Sequence, residues 1–334
     1  MSRMTKLLII PRSPENASFD FEGHGYYENF YPAISENFET VVLSTEYDEP
    51  ETQGSLTYYP CEFEGGKIQG AKNLYHAIDD IEPDAIMTEH EALRTIFAFT
   101  VAKMKEISTV MKVEAVPKSK FKTYFSSILS DKISSVSYAV DGYLPRESTV
   151  VRPGTDFPEQ IEPKQFSEDK ETIGYLGRFH YDKGTDRLVE VAEEIAQKEG
   201  FEFKVAGIGD YKREELEKLD EEYEDFEFLD KIPTDDIFPY LAGLDATVVP
   251  SRVEGCTRVV VESLYAGTPT LAWAIEPHKE MIENKVLLVE SIDELEQKIM
   301  EKAYQTDISW FNYEDYTVEN EIEGMTEVIE EAIK

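Results

Sequence analysis

The chain has 334 residues, 41% hydrophobic and 12% aromatic, enough apolar material for two cores of ordinary domain size and too much for a disordered polymer. Its net charge of -36 argues against duplex nucleic acid as a partner, since no phosphate-neutralising surface could dominate, and suits a cytoplasm rich in salt, where screening weakens self-repulsion. Two cysteines, Cys61 and Cys256, lie far apart without metal-ligand spacing, and no apolar run reaches signal-peptide or spanning length, so a cytoplasmic protein in a reducing compartment is expected.

In chain order, residues 6–10 read as an apolar strand, followed by a polar loop to Gly23 and Gly25 and a helix over 26–38. Strands are expected at 41–44, 84–87 and 109–113, with helices near 71–81 and 91–105 between them. That alternation predicts a parallel sheet covered by helices on both faces. Residues 103–122 form the one basic island of the chain: Lys103, Lys105, Lys112, Lys118, Lys120 and Lys122 face only Glu106 and Glu114 as opposing charge, with Phe121, Tyr124 and Phe125 nearby. The island is either a helix face balancing acidic neighbours or a landing patch for an anionic acceptor or membrane surface, the latter built on Lys118, Lys120 and Lys122. Strands at 133–140 and 149–151 close this half. Residues 157–169, rich in Pro, Glu and Gln, carry no helical or alternating pattern that would place them in a core, so a domain boundary is expected there.

A second alternating series follows: strand 172–176, amphipathic helix 185–197, strand 201–206, and a strand from 226 taken to include Lys231 and Ile232. The GIGD after residue 206 begins a G-x-G. A dinucleotide fingerprint is set aside, because Lys212 stands at the third glycine position and no acidic ribose hook follows an evident second strand. Asp235 and Asp236 sit at a helix start, where acids favour the dipole and need no metal. Residues 246–249 form a strand, 251–258 a loop and 259–266 a helix stopped by Gly267, Thr268 and Pro269 before a strand at 270–273. The pattern continues through 277–283, 287–289 and a helix over 291–304 to a final acidic helix ending at Lys334, with Trp310 at the elbow before it.

In doubly wound sheets ligands sit beyond the carboxyl ends of the strands, and the helix fed by residues 251–258 points its partial positive end at the same place, so an anion is the expected guest. Glu254 and Glu262 frame that helix start with seven residues between them. An ionised carboxylate accepts two hydrogen bonds side by side, so each of these acids can hold a pair of neighbouring donors.

With PS before it and AGTP after it, this E-x7-E stretch resembles the nucleotide-sugar-binding loop of the retaining GT-B glycosyltransferases of family 4, the glycosyl transferases group 1. GRFHYDKG at 177–184 is similar to the family's second signature, VVRPGTDF at 150–157 to its strand-to-linker signature (Gly154 and Asp156 match, Arg152 and Pro153 depart), and PDAIMTEH at 83–90 to its Pro-Asp-strand-His motif. The resemblance implies an α/β protein of GT-B fold, with two Rossmann-like doubly wound domains facing across a cleft. Their expected bounds are an acceptor-side domain over 1–157, a nucleotide-sugar domain over 158–306 and a helix over 307–334 crossing back to the first. It implies Glu262 on the ribose, Glu254 on the hexose, and Arg178 with Lys183 on the diphosphate, where two fixed cations lower the barrier to the leaving phosphate without a metal. Gly177, Gly207, Gly209, Ile232, Gly255, Cys256, Thr257 and Arg258 fall at the implied donor contacts. Gly23 and Gly25 either approach the diphosphate or only form a turn. His90 reads as structural more readily than catalytic, and Glu114 either substitutes for a histidine that relatives carry after the next strand or leaves that contact absent. Lys285 stands where relatives carry a glycine.

The function so implied is metal-independent transfer, with retention, of a sugar from a UDP- or GDP-sugar to a glycan or lipid-linked acceptor, with no cofactor, no nucleic acid and, on the patch reading, peripheral contact with the membrane's inner face. A nucleotide-sugar epimerase of the same fold, which needs no acceptor, and a non-catalytic nucleotide-sugar-binding partner are the alternatives.

Overall fold

Runs of Ile, Val and Leu, alternating with amphipathic stretches, form two separate sheets in a computed structural model that describes residues 3–19, 26–63, 66–90, 92–166 and 169–334. The chain divides into two compact units, Met1–Asp156 with Asp315–Lys334, and Phe157–Glu314. In the first, strands β1 (Lys6–Ile10), β2 (Glu39–Ser44), β3 (Glu51–Gln53), β4 (Leu56–Pro60), β5 (Ala85–Thr88), β6 (Ser108–Val113), β7 (Lys132–Ser135) and β8 (Thr149–Val150) lie in the order β3-β4-β2-β1-β5-β6-β7-β8. Neighbours are parallel except β3 and β4, which turn about Gly54 at φ +60°. Its helices are α1 (Tyr26–Ile34), α2 (Lys67–Ile81), α3 (Leu93–Met104), α4 (Lys120–Leu129) and the single turn α5 (Tyr138–Asp141).

The second unit carries β9 (Glu171–Arg178), β10 (Phe201–Ile208), β11 (Phe226–Leu229), β12 (Ala246–Val249), β13 (Thr270–Trp273) and β14 (Leu288–Val289), all parallel, in the order β11-β10-β9-β12-β13-β14. Strands one to six of this unit thus run 3-2-1-4-5-6, the doubly wound order whose direction reverses between β9 and β12. Its helices are α6 (Thr185–Ala196), α7 (Arg213–Glu222), α8 (Ile237–Ala242), α9 (Arg258–Tyr265), α10 (Glu276–Met281) and α11 (Ile292–Met300). A last helix, α12 (Val318–Ile333), returns to the first unit.

That return is built into the core. Met325, Val328 and Ile329 of α12 are buried in one apolar cluster with Leu7, Ile9, Phe30, Ile34, Met87 and Val110. On the same helix Glu321, buried, takes the ammonium of buried Lys112 at 2.5 Å on one oxygen and the backbone N–H of Gly154 at 2.7 Å on the other. Lys112 also lies over the Phe30 ring at 4.4 Å, so a cation inside the core is both paired and packed. Gly154 has to be glycine there, because a Cβ would lie 2.6 Å from the backbone of Val318.

Several expectations are corrected. Residues 133–140 are not one strand: β7 ends at Ser135, and the Ser137 hydroxyl accepts from Val140 N to start α5. The strand at 226 stops at Leu229, leaving Lys231 and Ile232 in a loop, with Ile232 packed on the core of the second unit. Residues 157–166 do not lie outside both cores: Phe166 packs with Ala206, Tyr240 and Leu241, the Phe157 ring lies 4.3 Å from that of Tyr265, and Lys164 N donates to Pro239 O. The β3–β4 hairpin and α4 were not anticipated.

Candidate functional site

The site grows from the strand reversal between β9 and β12. After β9 the chain makes one turn, Tyr181–Lys183, and enters α6 through Gly184 at φ +71°. No other residue fits, since a Cβ on Gly184 would meet the carbonyl oxygen of Pro250 at 2.1 Å. This close approach lays the 181–187 segment against the loop after β12. Arg252 N donates to Asp182 O at 2.8 Å, the Arg252 guanidinium grips Asp186 through two 2.6 Å bonds while covering the Tyr181 ring, and Arg187 donates to Pro250 O at 3.0 Å with its guanidinium 3.9 Å over the Trp273 ring. The Arg252 pair holds the Asp186 carboxyl below its ordinary range, and burial lowers Arg187.

Between these clamps the Lys183 ammonium donates to both oxygens of Glu254, at 2.6 and 2.8 Å, and Ser251 Oγ donates to one of them at 2.7 Å. Glu254 is 8% exposed and Lys183 26%, a charge pair with one partner almost withdrawn from water. Two residues 71 positions apart, read separately as hexose and diphosphate contacts, are brought together here.

The helix α9 begins beside that pair. Thr257, its N-cap residue, makes no side-chain cap bond to the helix, because its hydroxyl bonds His278 Nε2 at 2.9 Å. His278 Nδ1 sits 2.7 Å from Trp273 O, a carbonyl that can only accept, so Nδ1 carries the proton and Nε2 accepts from the Thr257 hydroxyl. Burial lowers the His278 pKa, consistent with this neutral tautomer. The hydroxyl that would ordinarily cap the first turn of α9 is therefore engaged elsewhere. Glu262, 2% exposed on the buried face of α9, lies 3.5 Å from the Arg258 guanidinium one turn earlier.

Gly177 and Gly207 face each other across the β9–β10 pair; a Cβ at 207 would meet Gly177 O at 1.9 Å, and one at Gly209, φ +124°, the Phe179 backbone at 2.6 Å. These glycines let the two strand tails close on each other. Arg178, at the end of β9, is exposed and enters no ion pair among the described residues. Gly255 is buried and Cys256 half-buried in the loop. Gly23 and Gly25 lie outside the described residues. Ser251 and Arg252 entered the sequence reading only as part of the 251–258 loop, and Asp186, Arg187, Trp273 and His278 were not singled out; only a hydrogen-bonding residue type near a strand end hinted at them.

In the first unit the corresponding reversal lies between β1 and β5, and Glu89 follows β5 directly. Its buried carboxylate accepts from Tyr31 Oη at 2.9 Å and Arg12 N at 3.2 Å, and burial, reinforced by Glu114, pushes its pKa up to about 8. Burial also raises Glu114. His90 Nε2 accepts from Arg94 Nε at 2.7 Å, and burial beside Arg94 and Arg12 holds the ring neutral, with a pKa down to about 3. Arg94 in turn donates to the carbonyls of Pro11 and Arg12, so His90 orients an arginine strut.

Of the basic island, Lys103 pairs with Asp131, Lys105 with Asp79 and Lys112 with Glu321, so half of it is ordinary ion pairing. Lys118, Lys120 and Lys122 cluster at the start of α4. Among the described residues, no three His, Cys, Asp or Glu side chains gather as a metal site, and no helix is long and apolar enough to cross a membrane.

Residues 156–303 match the family described as Glycosyl transferases group 1. Among curated proteins, the chain is 29% identical over 147 residues to a glycogen synthase of Thermus caldophilus, covering 43% of this chain and 33% of that protein. It is 25% identical over 190 residues to an uncharacterized glycosyltransferase of Methanocaldococcus jannaschii, covering 55% and 48%. The chain thus spans about a third to a half of the length of these relatives. Among solved structures, Anabaena HepE in complex with UDP-glucose superposes with a TM-score of 0.72 at 14% identity, over 98% of this chain and 100% of that one, and the sucrose-phosphate synthase of Thermosynechococcus elongatus with 0.69 at 15%, over 98% and 96%. This likeness shows the fold: two parallel-sheet Rossmann-like halves of the GT-B class.

Proposed function

We propose that the protein transfers a sugar, with retention and without a metal, from a UDP- or GDP-sugar to a glycan or lipid-linked acceptor. The observation that carries this reading is the Lys183–Glu254–Ser251 arrangement at the strand reversal, set beside a helix terminus whose own cap hydroxyl is turned away. Glu254 holds the hexose hydroxyls and Glu262 the ribose pair. Lys183, with one face on Glu254, presents its charge to the diphosphate together with the exposed guanidinium of Arg178. As the glycosidic bond breaks, negative charge grows on the leaving phosphate, and two fixed cations stabilise that state more than the ground state. The match of residues 156–303 to the group 1 family and the UDP-glucose complex of a structural neighbour support a nucleotide-sugar donor.

The test is a panel of UDP-, GDP- and ADP-sugars, scored by thermal stabilisation, slow hydrolysis and transfer in chelator. A donor at about 100 times its dissociation constant should add about 2.7 kcal/mol of stability. Glu262→Ala should weaken the free nucleoside diphosphate by about 1.5 to 3 kcal/mol, the worth of hydrogen bonds to a charged acceptor. Absence of stabilisation by every nucleotide sugar would overturn the reading, and a strict divalent-metal requirement would overturn its metal-free part.

A further inference from the structure

Helix α4 is amphipathic the wrong way round. Toward the protein it buries Thr123, Ser126 and Ser127, all at most 2% exposed, and the hydroxyls of Ser126 and Ser127 have no hydrogen-bond partner among the described residues. Toward water it turns Phe121 (64% exposed), Tyr124 (51%), Phe125 (42%) and Ile128 (50%). At about 100° per residue these four fall within one stripe about 100° wide, and Lys120 and Lys122 stand on either side of it. The rings of Phe121 and Phe125 touch at 4.6 Å and those of Tyr124 and Phe125 at 5.7 Å, so the stripe is one continuous apolar ridge.

The charges are equally misplaced for stability in water. Lys118, Lys120 and Lys122 crowd the N-terminal end, where the helix dipole disfavours cations, and no acid stands in the first turn. The C-terminal end follows the usual rule, with Arg146 donating to the carbonyls of Ser127 at 2.6 Å and Ser130 at 2.9 Å. Lys120 and Lys122 enter no ion pair among the described residues of a chain with more than twice as many acids as bases.

We infer that α4 is an interfacial helix that seats its aromatic ridge on an anionic lipid surface, with Lys118, Lys120 and Lys122 on the headgroup phosphates. A ridge of aromatic and aliphatic side chains flanked by lysines, on a helix about 15 Å long, matches the boundary between acyl chains and headgroups. Charge complementarity favours lipid over a second copy of the chain, because two such faces brought together would oppose lysine to lysine. The net charge of -36 does not forbid it, since at physiological salt charges beyond about 8 Å are largely screened and the local lysines dominate. The inference does not depend on the proposed sugar transfer, although a lipid-linked acceptor would suit it.

The experiment is cosedimentation of the full chain with phosphatidylcholine vesicles with and without phosphatidylglycerol, at low and high salt. Binding is expected only with the anionic lipid and to weaken with salt. Lys120→Gln with Lys122→Gln should lower partitioning by about fivefold per lysine at low salt. Phe121→Ser with Phe125→Ser should lower it by about tenfold or more while the thermal midpoint is kept, because both rings already face water. Parent protein that stays in the supernatant under every condition overturns the proposal, as does an aromatic variant that binds like the parent. A parent dimer in sedimentation that the aromatic variant converts to monomer would also overturn it, assigning the face to a second copy. Each readout is partitioning or mass, so failure here leaves the test of sugar transfer untouched.

Discussion

Removing the Lys183 ammonium is the most informative single perturbation. Glu254, 8% exposed, has two of its three side-chain hydrogen bonds from Lys183 and one from Ser251. Lys183→Ala leaves that carboxylate nearly buried with a single donor. Hydrogen bonds to charged groups are worth about 1.5 to 3 kcal/mol, and Lys183 is itself partly solvated, so a cost of about 2 kcal/mol is expected, below the range for a fully buried pair. For a unit of this size that lowers the melting midpoint by about 4 to 8 °C. Most of it should return in Lys183→Ala with Glu254→Gln, where no charge is stranded, giving a coupling of about 1 kcal/mol or more in the double-mutant cycle. On the proposed function, in which this charge acts on the leaving phosphate, turnover should fall by about 100-fold or more in the single variant and should not recover with added Mg²⁺. The assays are chemical denaturation and sugar transfer on the same preparations. Additive stability effects in the cycle would refute the pairing, and a fall in donor affinity with unchanged turnover would refute the role.

Gly184→Ala should destabilise the second unit by more than about 1 kcal/mol in urea unfolding, because a residue at φ +71° cannot carry a Cβ 2.1 Å from Pro250 O, and it should loosen Lys183 from Glu254 as well. His278 stays neutral in the fold while the unfolded chain takes up a proton near pH 6.5, so its contribution to stability is present above that pH and is lost as pH falls below it. The cost of His278→Phe should accordingly shrink by up to about 1.4 kcal/mol per pH unit below 6.5. Glu89 has the opposite sign: with its carboxyl raised to about 8, the fold holds a proton that the unfolded chain releases above about pH 4.5, and the burial penalty grows as pH rises through that window. Glu89→Gln should be stabilising at pH 8 to 9 and nearly neutral at pH 5 in thermal scans.

Much of the architecture was legible in the residue pattern. Strand runs such as LLII and TVV, bounded by Gly, Pro and Asp and separated by amphipathic stretches, already specify parallel sheets, since such strands must be apolar on both faces. Glu254, Glu262, Arg178 and Lys183 were singled out by short motifs that resemble those of a known family, each within a few residues of a strand end or a helix start, and a short motif is what a sequence displays. The errors were local too. Residues 133–140 read as a strand because apolar residues continue past Ser135, and nothing short of the Ser137 hydroxyl bonding Val140 N separates that run from a helix.

What the sequence by itself determined is therefore the identity and chemistry of the groups near each strand end, because secondary-structure period and capping are short-range effects. Only the tertiary structure decided which groups meet: Lys183 with Glu254 across 71 positions, Lys112 with Glu321 across 209, and Thr257 with His278 in place of its own helix. It also decided which way α4 faces. The residues of that helix allow an aromatic stripe turned to the core, and in the fold Thr123, Ser126 and Ser127 are the buried side chains instead, leaving the aromatic side in water. Long-range pairing and the choice of buried face depend on sheet order and on the volume left between neighbouring elements, and neither is written in the spacing of any single segment.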